Sequence, residues 1–173
     1  MRRLPPLAVI GLVLLIGAGL TLLFGSRGGS DELPPVAIEI TPPKRAILRE
    51  PTRLEVRVKN QGTTAIEDLG VKINRGYANV MTVVETQPRA SIDDASTEKR
   101  LYFGRLEAGQ SGVYRITMIP QRAGDFTLTV RVVAAQRGLD PIVLADRATG
   151  QTELTASTEV LDERAPTPSP TPP

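Results

Sequence analysis

Residues 52–60 read Thr-Arg-Leu-Glu-Val-Arg-Val-Lys-Asn (TRLEVRVKN). Leu54, Val56 and Val58 alternate with Glu55, Arg57 and Lys59. Successive side chains of a strand point to opposite faces, so the apolar three share one face and the charged three the other. This predicts a strand of a sheet with one face buried and one in water. Asn60-Gln61-Gly62 follows, and Asn and Gly tolerate the positive φ that a tight reversal needs.

The same period of two continues on both sides. Before the stretch, Val36-Ala37-Ile38-Glu39-Ile40 predicts a short strand that Pro42-Pro43 stops. After it come strands at 69–74, closed by Gly76, and at 79–86, ended before Pro88. Residues 91–99 (SIDDASTEK) are polar and read as a loop. Another strand is expected around Leu101-Tyr102-Phe103, then a turn at 107–110. In 112–119, Tyr114, Ile116 and Met118 oppose Val113, Arg115 and Thr117. In 126–134, Phe126, Leu128, Val130 and Val132 form an inward row. A longer connection at 136–150 carries the apolar patch Ile142-Val143-Leu144, and a last strand at 152–160 turns Leu154, Ala156 and Val160 inward.

No stretch past Gly25 shows a helical period. Seven to eight short strands with turn signals every 8–15 residues mean an all-β sandwich or barrel. The strands are short and uneven, and the connections at 87–99 and 136–151 suit the crossings of a Greek-key β-sandwich.

Upstream of the sandwich lies a different kind of sequence. Arg2 and Arg3 precede eighteen uncharged residues, Leu7 to Phe24 (LAVIGLVLLIGAGLTLLF). As a helix this run is about 27 Å long, close to the roughly 30 Å hydrocarbon core of a bilayer. The arginines place the amino terminus in the cytoplasm and the residues from about 30 onward outside it. The run is longer than the apolar region of a secretory signal, which favours a retained transmembrane helix. Ser26-Arg27-Gly28 nevertheless offers the small residues that a signal peptidase reads, so cleavage near Gly28, with secretion, stays open. The expected organisation is an anchor or signal at 1–25, a linker at 26–35, a sandwich at 36–162 and a Pro/Thr-rich tail at 163–173. The tail, APTPSPTPP from Ala165, reads as extended polyproline II.

Composition narrows the role. Of 21 basic residues, Arg2, Arg3 and Arg27 flank the apolar run. From Ser30 onward, 18 basic residues face 19 acidic ones, so no basic stripe for nucleic acid is present. His and Cys are absent, which removes the usual zinc sites and Ser/His or Cys/His nucleophile systems. No cofactor is expected. Carboxylates such as Glu55 fall at outward strand positions, as on any charged sandwich face, and Glu67-Asp68 carries no further signal. Asp93, Asp94 and Glu98 form the acidic cluster of the polar loop, at a spacing that follows no calcium loop. They read as solvated, with calcium left open. Arg53, Arg57, Arg115 and Arg131 fall on outward faces, where arginine would suit an anionic ligand or scattered ion pairs.

Three turns carry a resemblance. RVKNQGTTA at 57–65 resembles the V-x-N-x-G-x-x turn of bacterial immunoglobulin-like envelope modules. LEAGQ at 106–110 resembles their L-x-P-G-x turn, with Ala108 where proline is frequent. PQRAGDFTL at 120–128 resembles their P-x-x-A-G-x-Y/F approach to the penultimate strand. The chain thus resembles the cell-adhesion-related domain, the conserved repeat domain of unknown function and the sandwich modules attached to some glycosidases. The resemblance implies an immunoglobulin-like sandwich without catalytic residues. The expected role is a binding or scaffold module of the bacterial envelope, contacting a protein or an envelope polymer. The alternative is an accessory or carbohydrate-binding subunit of a larger surface complex.

Overall fold

The computed structural model describes residues 34–136 and 139–163. The apolar run Leu7 to Phe24, linker residues 26–33 and the tail from Ala165 lie outside the described residues. Among those described, no helix is long and apolar enough to cross a membrane.

The strands, in order, are β1 (Val36–Thr41), β2 (Arg45–Ile47), β3 (Thr52–Asn60) and β4 (Ile66–Asn74). A short helix, α1 (Arg75–Val80), leads to β5 (Met81–Gln87), β6 (Ser91–Asp94) and β7 (Glu98–Leu106). Then come β8 (Ser111–Pro120), β9 (Gly124–Gln136), β10 (Leu139–Val143) and β11 (Leu154–Leu161). They form two sheets: β1-β3-β8-β5, and β2-β11-β9-β4-β7-β6 with β10 beside β9. The first has the order A-B-E-D of an immunoglobulin-like sandwich, and β11-β9-β4 has the order G-F-C. β7 and β6 widen the second sheet as C′ and C″ widen a variable-type one. The chain takes a distinct route to them: it visits the β5 edge through α1, then returns through β6 to β7.

The alternation at 52–60 sets the interior. Leu54, Val56 and Val58 are buried with Tyr114, Ile116 and Met118 of β8, within one cluster that also holds Leu69, Val71 and Ile73 of β4 and Leu128, Val130 and Val132 of β9. One shared core between two sheets is the sandwich arrangement. The predicted inward faces of β3 and β9 match this burial, and of the two rows of β8 it is Tyr114, Ile116 and Met118 that face the core.

Several elements depart from the sequence reading. Eleven strands stand among the described residues where seven to eight were expected. β2 spans only Arg45–Ile47, too short to alternate visibly. Residues 75–80, partly assigned to a strand at 79–86, form α1; its buried Tyr77, Ala78 and Val80 fill one turn, too little for a helical period. The polar loop at 91–99 is instead the β6–β7 hairpin, with Asp93 opposite Arg100 and Asp94 opposite Lys99. All of β6 is exposed, so no apolar alternation marked it. The patch at 142–144 belongs to β10 and its exit, where the Leu144 N–H donates to the Val132 carbonyl at 2.9 Å. Asn60 is not a positive-φ turn residue. It ends β3 with a buried side chain whose amide donates to the carbonyls of Thr64 (2.8 Å) and Leu106 (3.2 Å). In β11 the inner row also includes Thr158, fully buried. Its hydroxyl donates to the Pro43 carbonyl (2.7 Å), so it accepts from the Tyr77 hydroxyl (2.9 Å).

Strand directions fix the two ends. β1 begins opposite Asn60, at the end that bears the turns 61–65 and 107–110. Pro34 and Pro35, expected as linker, pack there against Gly62, and the Gln61 N–H donates to the Pro35 carbonyl at 2.8 Å. β11 runs antiparallel to β9 and ends opposite Gly124, at the other end. The chain therefore joins and leaves the sandwich at opposite ends.

Candidate binding surface

The outer face of the larger sheet carries a row of cations. Lys72 on the central strand β4 lies directly opposite Arg100 on β7 and Arg131 on β9. Like charges opposite one another destabilise a sheet, so carboxylates must intervene. Glu98 accepts from Lys72 Nζ and from Arg100 Nε, each at 2.8 Å, and Glu153 accepts from Arg131 Nε at 2.8 Å. Burial pushes the Glu98 carboxyl up, but the hydrogen bonds from Lys72 and Arg100 outweigh it and hold the group below its usual range. Lys72 is 9% exposed, covered by the long side chains around it. A groove of about 320 Å³ lies here, lined among others by Lys72, Asn74, Thr129, Arg131 and Glu153. Asn74 reaches across to β9, accepting from the Thr129 N–H (2.8 Å) and donating to the Thr127 carbonyl (3.1 Å).

The acidic trio is dispersed. Asp93 lies on the outer face, 3.5 Å from Arg100. Asp94 points the other way and pairs with Lys99 (2.8 Å) and Arg75 (3.2 Å). The hydrogen bond from Lys99 is the main cause that holds its carboxyl below the ordinary value. Glu98 is held between Lys72 and Arg100. Among the described residues no three His, Cys, Asp or Glu side chains converge on a point that would hold a metal. The four arginines divide as well. Arg53, Arg57 and Arg115 lie on the outer face of the smaller sheet, and Arg131 on that of the larger. Glu55 joins Arg57 (2.7 Å) to Arg115 (3.1 Å), and these contacts, led by the Arg57 hydrogen bond, lower its pKa.

One lateral side of the sandwich is closed. The chain crosses it from β1 to β2, and the loop after β10 folds against β1. Asp146 pins that loop. It is 6% exposed, and its carboxylate accepts from the Ile38 N–H (2.9 Å), the Ala148 N–H (3.0 Å), and both the N–H (2.9 Å) and hydroxyl (3.0 Å) of Thr149. The Ile38 N–H is the main cause that lowers its pKa. The Arg147 N–H adds a bond of 2.7 Å to the Val36 carbonyl.

The opposite side is open. β5 and β6 are the edge strands of the two sheets, joined by residues 88–90 through a cis Gln87–Pro88 peptide. Val83 and Val84 are consecutive apolar residues in a period-two strand, and a bulge separates Val83 from Glu85 in the pairing with β8. Val84 stands out at 52% exposure, and Ile92 on β6 at 50%. With Thr86, Arg89 and Ala90 they line a groove of about 440 Å³. The sequence reading missed this surface. Its signals were the doubled valine Val83-Val84, inside the strand expected at 79–86, and the lone isoleucine of SIDD, masked by the assignment of 91–99 to a loop.

No known family model matches the chain, and no curated protein sequence matches it. Solved structures do. The solution structure of the CARDB domain of PF1109 from Pyrococcus furiosus is 16% identical, with 74% of this chain and 95% of that one covered and a TM-score of 0.48. A crystal structure of the same domain in complex with di-metal ions is also 16% identical, covering 75% and 90%, with a TM-score of 0.48. A cohesin module from a Clostridium perfringens family 33 glycoside hydrolase is 6% identical, covering 75% and 99%, again with a TM-score of 0.48. At this level of likeness the fold rests on the strand order described above.

Proposed function

We propose that the chain is a non-catalytic binding or scaffold module of the bacterial envelope. In this reading Leu7 to Phe24 anchors it, the sandwich stands outside the membrane, and the β5–β6 side captures another protein. The observation that carries the reading is the contrast between the two lateral sides. Asp146 and the β1–β2 crossing close one, whereas the other exposes Val84 and Ile92 beside a groove. Exposed apolar groups flanked by polar ones favour a protein surface over water. The bulge at Val84 interrupts continuous strand addition along β5, as edge strands commonly require. The partner is therefore captured mainly through an apolar side chain seated between Val84 and Ile92, with Glu85 and Arg89 at the rim.

The carboxylate chemistry supports a role without catalysis. Asp93, Asp94 and Glu98 each face a cation, and Asp146 holds a loop. The rival reading, a carbohydrate-binding subunit, draws on the polar groove around Asn74, Arg131 and Glu153. The two readings use different faces, and site-specific photo-crosslinking in cells separates them. A crosslinker at position 92 is expected to give one protein adduct that Val84→Asp abolishes, and one at the exposed Thr155 on the outer face is expected to give none. Adducts at 155 that persist in Val84→Asp would overturn the edge as the contact site.

A further inference from the structure

Both terminal strands are bonded along their length and leave the sandwich in opposite directions. β1 starts at the Pro34 end and pairs with β3 from Val36↔Asn60 to Thr41↔Glu55. β11 finishes at the other end. It pairs antiparallel with β9 from Leu154↔Val130 to Val160↔Gly124, and parallel with β2 from Arg45↔Glu159 to Leu161↔Ile47. Hydrogen bonds between strands lie across the strand direction. Tension applied through Pro34 and Glu163 runs along β1 and β11, so it loads these ladders together rather than bond by bond.

Bonds outside the ladders reinforce each terminal strand. At the first, the Arg147 N–H holds the Val36 carbonyl (2.7 Å) and Asp146 holds the Ile38 N–H (2.9 Å). At the second, the Leu48 N–H holds the Leu161 carbonyl (2.9 Å), the Glu159 N–H holds the Lys44 carbonyl (3.0 Å), and Arg45 pairs with Glu159 (3.0 Å). We propose that the sandwich is a tension-bearing link, in which β1 sheared against β3 and β11 sheared against β2 and β9 resist a pull along the chain. This role goes beyond partner capture and does not depend on which protein the β5–β6 side holds.

The chain has no cysteine, so handles attach only where a cysteine is introduced. Full-length protein in detergent micelles is pulled at a constant loading rate through Ser30→Cys and Thr167→Cys. In a second variant the handles are Ser30→Cys and Ala108→Cys, both leaving from the Pro34 end, so that β1 peels from β3 one bond at a time. Ala108 is exposed in a turn, and equal urea midpoints for the two variants check that both fold. The end-to-end geometry is expected to unfold in one step at about twice the peeling force or more, since forced unfolding follows the unfolding barrier along the pulled direction. Equal forces in the two geometries, or a lower force end to end, would overturn the proposal. Loss of the crosslink at position 92 would leave it standing.

Discussion

Asp146 shows how much one buried carboxylate organises. Its charge is met by three backbone N–H groups and a hydroxyl. Such bonds favour the ionised form, and the folded pKa lies below the ordinary value. The sign of the pH dependence follows. A carboxylate with a lowered folded pKa contributes stability that is fully present above its unfolded value, about 3.9, and lost as pH falls through the folded value. Asp146→Asn keeps one acceptor oxygen but removes the charge. At neutral pH it is expected to cost about 1–3 kcal/mol, the range for buried polar groups left poorly bonded. Urea unfolding should show the gap between wild type and Asp146→Asn narrowing as pH falls below about 4. Glu55, Asp94 and Glu98 also have lowered pKa values, so wild type and variant alike weaken in that window. A gap constant from about pH 7 to about pH 2 would mean that the charge of Asp146 does not pin the loop to β1.

The strands differ in how plainly their residues announce them. β3 does so best, because Val56 has no exposure while Arg57 beside it is exposed. Val56→Asp would place an unpaired carboxylate between the sheets, at an expected cost of several kcal/mol, enough to unfold a domain of this size. Circular dichroism melting checks it, and a variant that melts like wild type would mean that this face is not the interior. Legibility fades where one condition fails. β6 lies at a sheet edge with both faces exposed, so burial imposes no alternation on it. β9 is covered on both faces near Val132 and Val133, and there a continuous apolar run replaces alternation. Gly70 looks like a strand breaker, yet a Cβ there would lie 2.8 Å from Tyr102 Cδ1; the ring of its cross-strand partner occupies the space instead. α1 is only one and a half turns, too short for a period to register. The candidate surface was invisible for a related reason. Exposure of Val84 and Ile92 depends on which strands end the sheets, and strand order is a property of pairing between distant segments.

At the scale of the whole molecule, the proposal turns on a segment outside the described residues. The sandwich receives the chain at Pro34, packed on the turn after β3, and releases it beyond β11 at the opposite end. A module built this way suits in-line attachment, with one end leading to Leu7 to Phe24 and the lateral β5–β6 side left clear. Eighteen uncharged residues match the thickness of a bilayer core, and Arg2 and Arg3 oppose transfer of the amino terminus across it. The sequence at Ser26-Arg27-Gly28 sets the competing outcome, because cleavage there would free the sandwich while leaving its fold unchanged. The two outcomes separate in a single preparation. Membranes from cells expressing the full chain are washed at alkaline pH, which strips peripheral proteins but not a helix that spans the bilayer. The anchored reading expects the intact chain, beginning at Met1 or Arg2, to stay in the pellet. Recovery in the medium of a protein that begins at Gly29 would replace the tethered scaffold with a released one. Tension through the sandwich would then have no membrane to act against, whereas capture at Val84 and Ile92 would persist in solution.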